Sequence, residues 1–313
     1  MIVNSICVLG GSGFVGRHLC HQLSAAGYRV AVPTRNRERA KENLILLPTA
    51  DVFEANIHDP RALSEAIHTC DAVINLVGVL HDGRGARSYR EAHVELARKV
   101  VAACREHGIR RLLHMSALNA DASAESGYLR SKAEAEAIVR ESGLDYTIFR
   151  PSVIFGRDDH FLNLLARLQK NLPLIALGSP HAQFQPVFVE DVAKCYVESV
   201  RRLETFGQTY ELAGPKVYAL RELVEYVGGL IGHRRPIVGL GPRLSYMQAA
   251  LFERLPGKLI TRDNYRSMRR PNTSNAQLPF GLVPTPLEAV APTWLAERTP
   301  RNRYFVFRNR SHR

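Results

Sequence analysis

Through the first half of the chain, short apolar runs alternate with longer stretches in which apolar residues return every three or four positions. The runs at 6–9, 28–32, 50–55, 71–77, 111–116 and 145–149 predict strands. The stretches 14–26, 37–42, 59–68, 89–107 and 126–142 predict helices between them. Local signals agree with this pattern. Asp59-Pro60 offers an N-cap followed by a first-turn proline. Val94, Ala97, Val101 and Cys104 mark one face of the long helix 89–107, and Gly108 stops it. The apolar run 71–77 suits a parallel sheet covered on both faces. Strand–helix repetition with short links predicts an α/β fold built on a doubly wound parallel sheet.

Beyond Arg150-Pro151 the rhythm changes. Residues 161–169 read as a helix and 172–181, with Pro173, Gly178 and Pro180, as a loop. Residues 186–192 read as a strand leading into a helix to about 203, and 210–213 as a late strand of the main sheet. From Gly214 onward, prolines, glycines and short helices predict a smaller lobe.

The first strand runs into Gly10-Gly11-Ser12-Gly13-Phe14-Val15-Gly16 and then a helix. Gly10 turns the chain sharply off the strand. Gly13 has no side chain to obstruct a pyrophosphate, and Gly16 lets the helix pack closely on the strand. The helix N-terminus offers free N–H groups to the phosphates. The arrangement predicts a Rossmann sheet that binds a dinucleotide, with Gly10, Ser12, Gly13, Phe14, Val15 and Gly16 at the cofactor. Residues 1–155 are expected to form this core, completed by about 186–213. Residues 156–185 and 214–313 are expected to form the smaller C-terminal lobe with a basic tail.

Composition narrows the partners. Net charge is +12, which favours anionic ones: a phosphorylated cofactor, an acidic protein or a membrane surface. Aromatic residues are not interleaved with the basic ones, so nucleic acid is not expected. The cysteines, Cys7, Cys20, Cys70, Cys104 and Cys195, are dispersed in apolar stretches, which predicts reduced core thiols and a cytoplasmic protein. No apolar run reaches the roughly 18 residues of a membrane-spanning helix. The apolar N-terminus lacks the basic region of a signal peptide. The histidines have no metal-ligand spacing, so no metal is expected. Ser12 lacks the second glycine of a nucleophile elbow. Asp158-Asp159 and Glu190-Asp191 read as helix caps.

The end of the second strand bears on cofactor type. NAD binders usually carry Asp or Glu there for the ribose 2′-hydroxyl; this chain has Thr34, followed by Arg35 and Arg37. No carboxylate repels a 2′-phosphate and guanidiniums can clamp one, so NADP(H) is expected over NAD(H). Asn56 and Ile57 follow the third strand, suited to the adenine edge and face. The fourth ends Asn75-Leu76-Val77-Gly78, where glycine lets the backbone lie close to the cofactor. Tyr128 and Lys132 stand one helical turn apart in Tyr128-Leu129-Arg130-Ser131-Lys132. An ammonium beside a phenol stabilises the phenolate and lowers its pKa, which suits Tyr128 to general acid/base work on a carbonyl–alcohol pair, with Lys132 also reaching the ribose.

In these motifs the chain resembles the short-chain dehydrogenase/reductase superfamily, extended or atypical branch, over nearly its whole length. The resemblance rests on the glycine turn, on Tyr128 to Lys132, on Arg150-Pro151-Ser152-Val153-Ile154-Phe155-Gly156 and on Pro186-Val187-Phe188-Val189-Glu190-Asp191-Val192. More narrowly it resembles the NADPH-binding accessory subunits of respiratory complex I and their bacterial relatives. The narrower blocks are Arg157-Asp158-Asp159 with Phe161-Leu162-Asn163, Gln185-Pro186-Val187, Ile260-Thr261-Arg262-Asp263 and Thr285-Pro286-Leu287-Glu288. The resemblance implies Tyr128, Lys132 and a strand-end hydroxyl as catalytic groups, and Ser116 and Pro151 at the cofactor.

The chain departs from the superfamily at the strand-end hydroxyl, whose usual place falls at Leu118, leaving Ser116 or Ser131 as substitutes. It departs again at His93, where the extended branch often has Asn. Two functions stay open. One is an NAD(P)-dependent oxidoreductase or epimerase-like reductase acting on a sugar nucleotide or another small carbonyl or alcohol. The other is a protein that holds NADP(H) and is linked to respiratory complex I or quinone metabolism, peripheral at the inner membrane. Leu118 and the narrower resemblance lean towards tightly held NADP(H) with weak or specialised redox activity.

Overall fold

The computed structural model describes residues 3–254 and 260–296. The described chain divides into two compact units: the first runs from the N-terminus to Ser152 and takes in 189–213 and 274–283; the second is the rest.

The first unit begins with β1 (Ser5–Leu9), α1 (Phe14–Ala25), β2 (Arg29–Thr34), α2 (Arg37–Leu44), β3 (Ala50–Glu54), α3 (Pro60–Ile67) and β4 (Ala72–Asn75). It continues with α4 (Leu96–Glu106), β5 (Arg111–Met115), α5 (Gly127–Arg140) and β6 (Asp145–Pro151). The helix Val189–Ser199 and the strand Gln208–Leu212 complete it. The sheet has seven strands, all parallel, with Gln208–Leu212 at one edge followed by β6, β5, β4, β1, β2 and β3. Strand order reverses beside β1, so β1 and β4 diverge to opposite halves above the glycine turn. That crevice is where open α/β sheets bind ligands.

Caps fix the helix starts. Asn36 accepts the Arg39 N–H at 3.0 Å, Asp59 accepts the Arg61 N–H at 2.9 Å, and Ser126 caps α5. Leu9, Leu63, Ile67, Val73, Leu96, Val100, Leu112 and Ile148 pack one buried cluster between sheet and helices. All five cysteines are buried thiols.

Several expectations need correction. The helix read at 89–107 opens as a π-helical segment, Arg90–Glu95, before α4 begins. Glu190 does not cap its helix; its carboxylate bonds to His18 and Gln22 on α1. Its helix ends at Ser199 rather than near 203, and a separate turn occupies Leu203–Thr205.

In the second unit the helices Phe161–Asn171 and Leu220–Leu230 enclose a core of Leu162, Leu165, Leu223, Val224 and Val227. Residues read as a loop contain the strand Ile175–Gly178, which pairs in parallel with Ile237–Leu240. Gly178, its last residue, faces the helix Pro242–Phe252, where an added Cβ would come within 2.7 Å of Gln248 Oε1. Asp159 caps as read, accepting the Leu162 N–H at 2.6 Å and the Gly156 N–H at 3.0 Å. The arginine-dense tail from Arg298, and Leu255 and Lys258 before it, lie outside the described residues.

Candidate functional site

Gly10 turns the chain off β1 with φ at +82°, a conformation that favours glycine. A Cβ on Gly16 would strike the Gly10 carbonyl and lie 2.5 Å from Gly11 Cα, so this glycine clears the turn's own backbone rather than the strand. A Cβ on Gly11 would come 2.8 Å from Val32 on β2. Gly13 is the N-cap of α1, and no side chain caps that helix. Its leading N–H groups therefore face outward without a side-chain acceptor.

At the end of β2, Thr34 Oγ1 lies 3.5 Å from Ser12 Oγ of the turn. The structure separates the arginines read as a clamp. Arg37 Nε donates to the Val52 carbonyl at 3.0 Å and is held along β3, while Arg35 is exposed beside Thr34. Asn56 Oδ1 already accepts the His58 N–H at 3.2 Å, and Ile57 is half-buried against the core.

The other half of the crevice is built by β4, β5 and α5. Lys132 is buried and donates from Nζ to the Met115 carbonyl at 3.0 Å. Burial lowers its pKa to about 8, opposed by the charge of Glu136. Tyr128 is half-buried, and burial pushes its phenol up to about 12. The expected lowering by Lys132 is thus overturned, because the ammonium is turned to a backbone carbonyl. A Cβ on Gly78 would lie 3.2 Å from Lys132 Nζ, so only glycine leaves that approach open. Ser131 does not serve as a spare hydroxyl, since it donates to the Tyr128 carbonyl at 2.8 Å and contacts His93 Nδ1 at 2.8 Å.

Leu118 is buried, with its N–H on the Pro151 carbonyl at 3.0 Å, so the usual hydroxyl place is apolar. Ser116 is buried, and its Oγ has no hydrogen-bond partner within ordinary reach among the described residues, though it lies close enough to Glu136 to help depress that carboxyl.

Sequence reading missed the groups beneath this site. Glu136 is buried one turn beyond Lys132 and is gripped by Arg150 from β6 and by Arg140. Tyr128, Lys132, Glu136 and Arg140 recur every four residues, a spacing that marks one helix face. His114, buried on β5, receives the Asn75 amide at 3.4 Å on Nδ1, and burial pulls its pKa to about 3.

The NAD dependent epimerase/dehydratase family matches residues 6–213. The mitochondrial NADH dehydrogenase (ubiquinone) 1 alpha subcomplex subunit 9 of Rattus norvegicus is 32% identical over 292 residues, covering 90% of this chain and 77% of that protein. The 2-alkyl-3-oxoalkanoate reductase of Stenotrophomonas maltophilia is 26% identical, covering 80% of this chain and 82% of that one. The UDP-glucose 4-epimerase of Brucella ovis, solved with NAD, superposes with a TM-score of 0.62 at 21% identity, over 75% of this chain and 85% of that one, which establishes the shared fold. The chain therefore belongs to the NAD dependent epimerase/dehydratase family, within which it is homologous to the alpha subcomplex subunit 9 proteins of NADH dehydrogenase.

Proposed function

We propose that this chain holds a nicotinamide dinucleotide tightly, NADP(H) in preference to NAD(H), and serves as a cofactor-bearing component of a respiratory or quinone-linked assembly, with at most specialised redox activity. Several features fit such a ligand. The cleared backbone of Gly10, Gly13 and Gly16 and the uncapped start of α1 suit a pyrophosphate. Thr34 and Arg35 suit the adenosine ribose, Asn56 and Ile57 the adenine, and Val77, Gly78, Lys132 and Pro151 the nicotinamide half. Bound there, the cofactor would supply hydride chemistry at its nicotinamide ring.

The observation that carries the choice of holding over turnover is the set of hydrogen bonds around Tyr128. Lys132 is committed to Met115, Ser131 to the Tyr128 carbonyl, and Leu118 stands where a hydroxyl would be needed. The homology to the alpha subcomplex subunit supports the assembly. A second reading is favoured by one feature: Tyr128 and Lys132 still share a helix face, as an NAD(P)-dependent reductase or epimerase would require. In that reading Tyr128 is the acid/base on a small carbonyl or alcohol and Ser116 the hydroxyl that substitutes at the strand end.

The described residues contain no helix long and apolar enough to cross a membrane. We infer peripheral attachment on the strength of the net charge of +12 and the basic residues of the second unit. The test of the main proposal is to denature the purified protein, identify the dinucleotide released, and titrate NADPH and NADH into the stripped protein. Release of NADP(H), with tighter binding of NADPH, is expected; failure to bind either cofactor overturns the proposal.

A further inference from the structure

His93 lies in the π-helical segment Arg90–Glu95 and is held between the chain after β4 and α5. Such segments often occur at functional sites, because the extra residue in the turn re-aims a side chain that a regular helix would carry past. His93 is buried. Its ring lies 5.6 Å from the Tyr89 ring, stacked, and 5.6 Å from the Tyr128 ring, edge to face.

The hydrogen bonds fix its tautomer. The Val79 N–H can only donate, and it meets His93 Nε2 at 3.1 Å, so Nε2 carries a lone pair. Nδ1 then bears the proton and donates to Ser131 Oγ at 2.8 Å, whose own hydroxyl donates to the Tyr128 carbonyl at 2.8 Å. One imidazole thereby ties the segment after β4 to the helix that carries Tyr128 and Lys132. The tie passes over Gly78, where an added Cβ would sit 3.2 Å from Lys132 Nζ and 3.6 Å from His93 Nε2.

We propose that His93 is the positioning residue of the nicotinamide half of the site: it pins Gly78-Val79 against α5 and so sets the gap, bounded by Gly78 and the Lys132 ammonium, into which the cofactor's ribose fits. The inference rests on the cofactor reading above and adds to it the residue that shapes the pocket. The charge around the ring supports a permanently neutral imidazole. Burial, then the positive charge of Lys132, then His114 lower the His93 pKa to about 2. The aromatic neighbours, Tyr89 and Tyr128, offer it no counter-charge. A neutral ring can accept from Val79 at every working pH, whereas an imidazolium could not.

The test compares His93→Gln, which keeps an acceptor for Val79 and a donor for Ser131, with His93→Leu, which fills the space and keeps neither. NADPH and NADH dissociation constants are measured by fluorescence titration of the stripped proteins, beside their cofactor-free melting temperatures. His93→Leu is expected to weaken the better-binding cofactor at least about tenfold, because the half-buried Val79 N–H loses its acceptor and Gly78-Val79 its tie to α5, and His93→Gln to recover most of that loss. Equal losses in the two variants, or unchanged binding in His93→Leu, overturn the proposal. Binding by the wild type in every series separates this failure from failure of the cofactor reading. Should His93→Leu not fold, imidazole 15N spectra of the wild type decide. His93 must be neutral with an unprotonated Nε2 at pH 6, and that resonance must move when NADPH is added. A protonated ring, the other tautomer, or a resonance indifferent to NADPH refutes the assignment.

Discussion

Arg150 grips Glu136 with both prongs of its guanidinium, Nε to Oε1 at 2.8 Å and Nη2 to Oε2 at 2.7 Å, while Arg140 donates to the same Oε2 at 2.9 Å. The pair joins β6 to the buried face of α5, directly below Lys132. Burial alone would raise the Glu136 carboxyl; the Arg150 hydrogen bonds and the nearby arginine charges outweigh it and hold the carboxyl below its usual range.

Glu136→Gln should therefore cost about 3 kcal/mol of stability in urea unfolding at pH 7, because it leaves Arg150 half-buried without its counter-charge. A depressed carboxyl stabilises fully above its unfolded pKa, near 4.5, and the contribution is lost as pH falls through the lower folded value. Wild type should thus lose stability below pH 4.5 along a limb that the variant lacks. Parallel acid limbs in the two proteins would contradict this.

What was legible in the sequence is what is local. The glycine turn, the Asp59-Pro60 start of α3, the apolar strand runs and the Tyr128–Lys132 spacing all lie within a few residues of chain, and they predicted the main sheet and one helix face. What escaped depends on distant chain. Glu136 looked like an ordinary helix residue until β6 brought Arg150 to it. The strand Ile175–Gly178 looked like a loop because its partner, Ile237–Leu240, lies far along the sequence. The π-helical segment is invisible to a periodicity of three or four, yet it carries the buried His93. Likewise the segment 274–283 joins the first unit through single contacts: Ser274 on Glu211 at 2.6 Å, and Phe280 against Tyr210 and Arg202.

Lys132 should show a trade between stability and binding. Its pKa falls from 10.5 to about 8, chiefly by burial, so below pH 8 the folded chain carries the full cost of a buried ammonium. That cost is about 3 kcal/mol and is relieved as pH rises from 8 to 10.5, since only the unfolded chain then keeps the proton. Lys132→Met should raise the cofactor-free stability at pH 7, by on the order of 1 to 3 kcal/mol, while weakening NADPH. Urea unfolding at pH 7, paired with NADPH titration, checks both halves. A less stable cofactor-free variant would show that the Met115 bond outweighs the burial cost.

Arg37 is tied to Val52, so the proposed preference for NADP(H) rests on Arg35. Arg35→Asp should weaken NADPH by about tenfold or more and leave NADH within about threefold, since it replaces a charge-assisted contact by repulsion. Calorimetric titration of both cofactors into both proteins measures this. Equal wild-type affinity for the two would remove the basis for the NADP(H) preference.

The second unit presents Leu244, Met247 and Leu251, 56%, 65% and 58% exposed, along the helix Pro242–Phe252. Basic residues, among them Arg243, Arg254 and Arg266, lie near them in sequence. If this stripe attaches to an anionic bilayer, each cation contributes on the order of 1 kcal/mol and salt screens it. Co-sedimentation should then show binding to anionic vesicles only, lost in high salt and weakened in a Met247→Ser, Leu251→Ser variant. Binding to neither vesicle type would leave a protein surface as the remaining partner.

The glycine turn should matter more to cofactor-linked stability than Tyr128 does. A ligand at a hundred times its dissociation constant stabilises the fold by about 2.7 kcal/mol through mass action. Gly13 caps α1 with no side chain, and a Cβ there would already approach the Gly10 carbonyl to 3.2 Å. Valine at that position adds bulk where the pyrophosphate would meet the leading N–H groups of the helix. Gly13→Val should therefore abolish the rise in melting temperature produced by NADPH. Tyr128 lies at the other end of the crevice, its ring against Tyr89 and His93. Tyr128→Phe keeps those ring contacts and should keep most of the NADPH-induced rise. The comparison uses thermal melts of wild type and both variants across an NADPH series. A full shift in Gly13→Val would put the phosphate site elsewhere in the fold. A shift lost in Tyr128→Phe would instead make the phenol a principal cofactor ligand, and would favour the reductase reading over simple retention of the dinucleotide.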